Sequence, residues 1–128
     1  MPIARIEVCR PRSQSEIDAM IDAVYQAQCL ALKVPADDRQ IRFVQYPPGH
    51  FPVPPAKTDN YTVVEIQIFP GRSLAAKRLL YAEIARRFGE LGIAATDITI
   101  ILHEPALDNW GVGGKPASEI DLGFKLDV

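Results

Sequence analysis

The chain has 128 residues, with 14 lysines and arginines against 16 aspartates and glutamates for a net charge of −2, a length that suits one domain able to fold without a metal or a disulfide. The charges are interspersed, with no basic run among aromatics and no acidic tail, so nucleic acid is not expected as a partner. No apolar stretch reaches the ~20 residues of a membrane-spanning helix, and the start lacks the basic and apolar runs of a signal peptide, which together predict a cytoplasmic protein with no membrane partner.

The first predicted element is a strand over residues 2–9, where Ala4, Ile6 and Val8 alternate with Arg5 and Glu7 in the two-residue period of a half-buried strand. Pro2 falls on the apolar side. It follows the initiator methionine, which cells remove before so compact a residue, and Pro2 would then carry a free secondary amine at the mature N-terminus. Such an amine titrates near pH ~8, and burial lowers that value towards neutrality, where it can act as a general base. The plainer reading of Met-Pro is a signal for methionine removal and nothing more.

Pro11 and Arg12 break this strand, and Ser13 with Glu16 forms a capping box. Ile17, Met20, Ile21 and Val24 then recur at helical spacing to about Leu32. A loop over 34–38 leads to a second strand over 40–46. Residues 47–60 hold Pro47, Pro48, Pro52, Pro54 and Pro55 and read as a surface excursion. A third strand runs from Thr62 to Phe69 and turns at Pro70-Gly71. Ser73 caps a second helix whose inner side is expected to carry Leu74, Leu80, Tyr81, Ile84, Phe88 and Leu91, stopping at Gly92. The fourth strand covers 97–103, and Trp110-Gly111-Val112-Gly113-Gly114 opens a tail expected to form edge strands. Cys9 and Cys29 lack CxxC spacing and read as reduced, buried thiols. His50 and His103 stand apart from any metal-ligand cluster, so no metal or other cofactor is expected.

The two halves are one unit written twice. Arg12-Ser13 overlays Arg72-Ser73 at an offset of 60, which also puts Ile6 on Ile66 and Val8 on Ile68. After a one-residue deletion the offset is 59, and Val34 meets Ile93, Asp38 meets Asp97 and Ile41 meets Ile100. Each half is strand, helix, parallel strand, and such crossovers are right-handed. The expected fold class is therefore α/β (α+β): duplicated β-α-β units forming one four-stranded sheet with two helices on one face, the whole of 1–128 one domain with repeats over about 2–51 and 62–114. The last strand reads as apolar on both sides, so the uncovered face of the sheet is expected to pack against other copies in a closed ring.

Pro2-Ile3-Ala4, the turn at Pro11-Arg12-Ser13, Gly49-His50-Phe51 and the glycine-rich close at 111–114 with Ala117-Ser118 resemble the tautomerase superfamily, typified by 4-oxalocrotonate tautomerase. The likeness extends over nearly the whole chain, once per half, and 38–39 with 108–110 are most similar to the malonate semialdehyde decarboxylase branch. The resemblance implies a tautomerase/MIF-like homotrimer that uses no cofactor. It implies that Pro2 is the catalytic general base or acid, that Asp38 works beside it, and that Arg72 and Arg12 bind a substrate carboxylate. Trp110, and Phe51 at the matching position of the first repeat, would line the pocket, with His103 a possible hydrogen-bond donor and Asn60 and Tyr61 similarly placed. A guanidinium suits this task because it stays charged and grips a carboxylate through two parallel hydrogen bonds. The chain departs from the family where the short tautomerase's second arginine falls, at Gln40 or Thr99, and where Pro70 replaces the first of the decarboxylase arginines. The implied activity is tautomerisation of a small 2-oxo or enol carboxylate, with decarboxylation or hydration, or a non-catalytic metabolite-binding trimer, as alternatives.

Overall fold

In the computed structural model, which describes residues 2–128, strand β1 (Ile3–Val8) is central, with β2 (Ile41–Gln45) parallel on one side and β3 (Thr62–Gln67) antiparallel on the other. Strand β4 (Ile98–His103) pairs parallel with β3, giving the order β2-β1-β3-β4. Each repeat is thus a parallel β-α-β unit, and the two meet antiparallel where Arg5 faces Glu65 and Ile6 faces Val64. One geometric consequence governs the rest. The start of β1 lies beside the end of β3, and the end of β1 beside the start of β3. The removal of Met1 invoked above concerns a residue outside those described.

Helix α1 (Gln14–Leu32) starts at Ser13, whose side chain accepts from the Glu16 amide while Glu16 reaches back to the Ser13 amide. Helix α2 (Leu74–Glu90) starts at Ser73 and ends where Gly92 adopts φ +87°, a left-handed conformation that side chains other than glycine rarely adopt. The two helices pack together on one face of the sheet, and Met20, Val24, Ala27 and Leu32 of α1 share a core with Ala4, Ile6, Val64 and Ile66. From α2 the core takes Leu80, Ile84 and Phe88. The expected inner side of α2 is therefore too wide: Leu74 is 59% and Leu91 43% exposed. The buried stripe runs at four-residue spacing from Ala76 through Leu80 and Ile84 to Phe88, and neither leucine lies on that line. Both cysteines are half-buried and free rather than fully buried, since each sits where its element meets the surface.

The other sheet face differs from the bare apolar surface expected. Arg5 donates to Glu7 at 3.1 Å and pairs with Glu65, Tyr46 donates to Glu7, and His103 lies 3.5 Å from Glu65. The Arg5 hydrogen bond, with help from His103, holds the Glu65 carboxyl below the usual range. The inner apolar residues of β1 and β3 alternate with charges that satisfy one another across strands. Ile101 is the apolar residue left 39% exposed there.

After β4 the chain forms a small hairpin from β5 (Gly111–Val112) and β6 (Lys115–Pro116). The expected edge strands reduce to this pair. Residues 120–128 form no helix or strand, but Leu122, Phe124 and Leu126 pack on a second apolar cluster centred on Phe69, Trp110 and Ala117.

Candidate active site

Pro2 is buried and lies one residue before β1. The Ala4 amide donates to the Gln40 carbonyl at 2.9 Å, and Ala4 faces Ile41, so the segment 38–40 runs along one side of Pro2. On the other side Ile3 faces Gln67; one step further the same register brings Ile68 and Phe69, both buried, alongside Pro2. Alternation puts Pro2 on the helix-covered face with Ala4 and Ile6.

The same 38–40 segment and Phe69 line an open cavity of about 400 Å³ together with Asp37, Val112 and Ile120, Asp121, Leu122 and Phe124 of the tail; Pro2 itself is not in the lining. Asp38 is fixed by its own amide, which donates to the Pro35 carbonyl at 3.1 Å, and by Gln40, whose Nε2 donates to its carboxylate at 3.0 Å. Trp110 is 8% exposed; its indole N–H donates to the Pro105 carbonyl at 3.0 Å, and its ring meets Phe69 edge-on at 4.7 Å. The two rings thus pack against each other, with the one polar group between them, the indole N–H, satisfied.

Arg72 follows the turn at the end of β3, at the Pro2 end of the sheet. It is 5% exposed and donates to the carbonyls of Phe69 at 3.3 Å and Leu32 at 3.2 Å, while its Nε has no partner. Burial lowers the pKa of the guanidinium from its ordinary value, opposed by Glu104. The Phe124 ring lies over it, 5.6 Å from ring centroid to guanidinium carbon.

Arg12 and Phe51 lie at the opposite end of β1, about 20 Å from Pro2 at ~3.3 Å per strand residue. The Arg12 side chain is 3% exposed and donates to Glu16 and Asn60, each at 3.2 Å. Phe51 packs edge-on between Tyr46 and Tyr61, at 5.2 and 6.0 Å. This end repeats the first: Thr62 stands where Pro2 stands, and Asp97 where Asp38 stands. Asp97 is buried and accepts from the Thr58 amide at 2.9 Å and its hydroxyl at 2.5 Å, bonds that hold its carboxyl below the usual range. His103 is at the Pro2 end but on the charged outer face beside Glu65 and Gln67. Within one chain Pro2, Asp38, Arg72 and Trp110 lie at the same end of the sheet, around Phe69, with Arg12 and Phe51 at the other end and His103 on the outer face.

Sequence reasoning missed Phe69 and Phe124. Phe69 aligns with Cys9 in the repeat, which gives no hint of an aromatic wall, and Phe124 follows the last residue of either repeat.

The fold matches solved structures along most of its length. A malonate semialdehyde decarboxylase from FG41, inhibited by 3-bromopropiolate, is 25% identical over 87% of this chain and 88% of its own, with a TM-score of 0.78. A second malonate semialdehyde decarboxylase, described as having decarboxylase and hydratase activities, is 22% identical over 87% and 90%, also with a TM-score of 0.78. The F6 fused 4-OT, an asymmetric trimer, is 18% identical over 91% and 96%, with a TM-score of 0.81. Residues 38–113 match the family described as tautomerase enzyme. The chain therefore belongs to the tautomerase enzyme family.

Proposed function

We propose that the protein is a cofactor-independent tautomerase of a small 2-oxo or enol carboxylate, with Pro2, freed by loss of Met1, as its general base. The observation that carries this reading is the burial of Pro2 at the head of β1, next to the segment 38–40, whose Asp38 and Gln40 line a cavity. Desolvation by Ile68, Phe69 and the core favours the neutral amine, the form that can accept a proton. Pro2 takes a proton from the enol hydroxyl or from the carbon next to the carbonyl and returns it at the other position. Asp38 hydrogen-bonds the substrate oxygen or a water, Trp110 and Phe69 keep bulk solvent away, and Arg72 holds the carboxylate.

The likeness to malonate semialdehyde decarboxylases supports a second reading. With Pro2 protonated, the same groups would polarise a 3-oxo acid and promote loss of carbon dioxide, or assist addition of water.

The test is intact-mass analysis before and after brief neutral-pH treatment with 3-bromopropiolate, followed by turnover of phenylenolpyruvate by wild type and Pro2→Ala. A mass lacking Met1, one adduct on Pro2 and a turnover loss of about a hundredfold or more in Pro2→Ala are expected. Retained Met1 or an unreactive Pro2 would overturn the reading in favour of a non-catalytic, metabolite-binding protein. Carbon dioxide release from a 3-oxo acid would favour decarboxylation instead.

A further inference from the structure

The cavity that Asp38 lines has the wrong charge for the substrate proposed above. Its lining includes Asp37, Asp38 and Asp121 and no lysine or arginine. The cation that would attract a carboxylate, Arg72, lies behind Phe69 and under the Phe124 ring. Two of its donors reach backbone carbonyls and Nε reaches nothing, so a buried charge is held with its hydrogen bonds incomplete, a costly arrangement that an incoming carboxylate would relieve.

The segment over Arg72 is built differently from the rest of the fold. Residues 120–128 lack regular structure. Phe124 stacks on Phe69 at 6.2 Å, Leu126 packs so closely on Gly71 that a Cβ there would meet it at 3.1 Å, and Val128 accepts from the Ser73 amide at 2.7 Å. Gly123, at φ +76°, provides a bend next to Phe124 that other residues would resist. Few backbone bonds, and side chains that alternate between half-buried and exposed with none fully buried, are features of a segment that opens locally at low cost.

We infer that residues 120–128 are a strap latched by Phe124, which must lift from Arg72 before a carboxylate can bind, the carboxylate then taking the place of the Phe124 ring. Lifting removes Asp121, one of the three aspartates, from the cavity wall and uncovers Arg72, so one motion both lowers the repulsion of an anion and exposes the cation that would hold it. This rests on the tautomerase reading for the identity of the ligand but not for the motion.

Phenylglyoxal, an arginine-selective dicarbonyl, reads the motion without any turnover. Arg72 in the wild type should be modified far more slowly than exposed Arg42. In Phe124→Ala it should be modified at least about tenfold faster, with Arg42 and the buried Arg12 unchanged, and Phe124→Leu should restore most of the protection. Saturating pyruvate should slow the modification of Arg72 in Phe124→Ala. The strap is refuted if Arg72 reacts as fast as Arg42 in the wild type, if Phe124→Ala leaves its rate unchanged, or if Arg12 accelerates equally, which would mean general loosening. Acceleration without pyruvate protection would keep the strap and overturn the carboxylate as its ligand. Because no outcome depends on Pro2, an inactive enzyme and an absent strap give different results.

Discussion

Arg12 and Arg72 are one residue of two repeats, and their neighbours decide what each can do. Arg12 is neutralised by Glu16, whose carboxyl is lowered first by the Ser13 amide and then by Arg12 itself. Among the described residues Arg72 has no such counter-ion in contact, Glu104 acting on it only from a distance. The same divergence separates Asp97 from Asp38. Asp97 is buried and clamped by Thr58, and because its folded pKa is depressed, its stabilising contribution is present above the unfolded value near ~3.9 and fades as pH falls through the folded one. Asp97→Asn should lower the melting temperature at pH 7 and flatten the acid limb of the stability profile; an unchanged limb in thermal melts between pH 2 and pH 5 (about the range of carboxylate titration) would remove this role. The repeat and the family motifs single out Pro2, Asp38 and Arg72 in the sequence, and the structure puts all three at one end of the sheet. Their separation from Arg12 was not legible there, since it follows from the antiparallel junction of β1 and β3, which no local spacing encodes.

At the scale of elements, the capping box at Ser13 and the four-residue stripe of α2 are the features that sequence reading handled best and worst. The box is local chemistry and formed as expected. The stripe depends on which way α2 rolls against α1 and the sheet, and helical periodicity alone admitted Leu74 and Leu91 to a face that the packed core assigns to Ala76, Leu80, Ile84 and Phe88. Phe88 is fully buried and touches both helices' core, so Phe88→Ala should cost about 3–5 kcal/mol, measured by urea unfolding, with the site at the sheet end intact in whatever fraction stays folded. A loss under about 1 kcal/mol would mean that the core collapses around the cavity. The tail after Gly114 was read as edge strands from its polar-apolar character. Residues 120–128 do alternate in the burial pattern, but the segment covers the Phe69 and Trp110 cluster instead of pairing with a strand.

For the molecule as a whole, the charged outer face bears on assembly. The homotrimer that the family resemblance implies would pack three chains around this face. If so, the interface is keyed by charge: Arg5, Glu7 and Glu65 would be buried together, where a sign error is expensive. Sedimentation should give three chains per particle for the wild type, and Arg5→Glu, which sets three carboxylates side by side, should give mainly single chains. A trimer undisturbed by Arg5→Glu would place the contact elsewhere. The topology was legible from the duplication, whereas the charge on this face was misread because β4 alone, an edge strand with Ile101, was taken to speak for β1 and β3.

The quasi-twofold junction of the repeats has one more consequence. In two separate copies of a short unit, any substitution appears at both ends of the pair, so neither end can change without the other. Joining them in one chain breaks that bond. A polypeptide has a single amino terminus and this sheet has two equivalent ends, so in the proposed reading a basic amine can occupy only one of them; at the other, Thr62 is an ordinary peptide whose nitrogen cannot take up a proton. The Arg12 end is then released from chemistry and free to evolve as scaffold, in keeping with the bonds that tie Arg12, Asn60, Thr58 and Asp97 together, although Arg12 Nε has no partner of its own. The Pro2 end keeps an arginine that no carboxylate pairs with among the described residues, a division of labour within one sheet that a symmetric pair could not sustain.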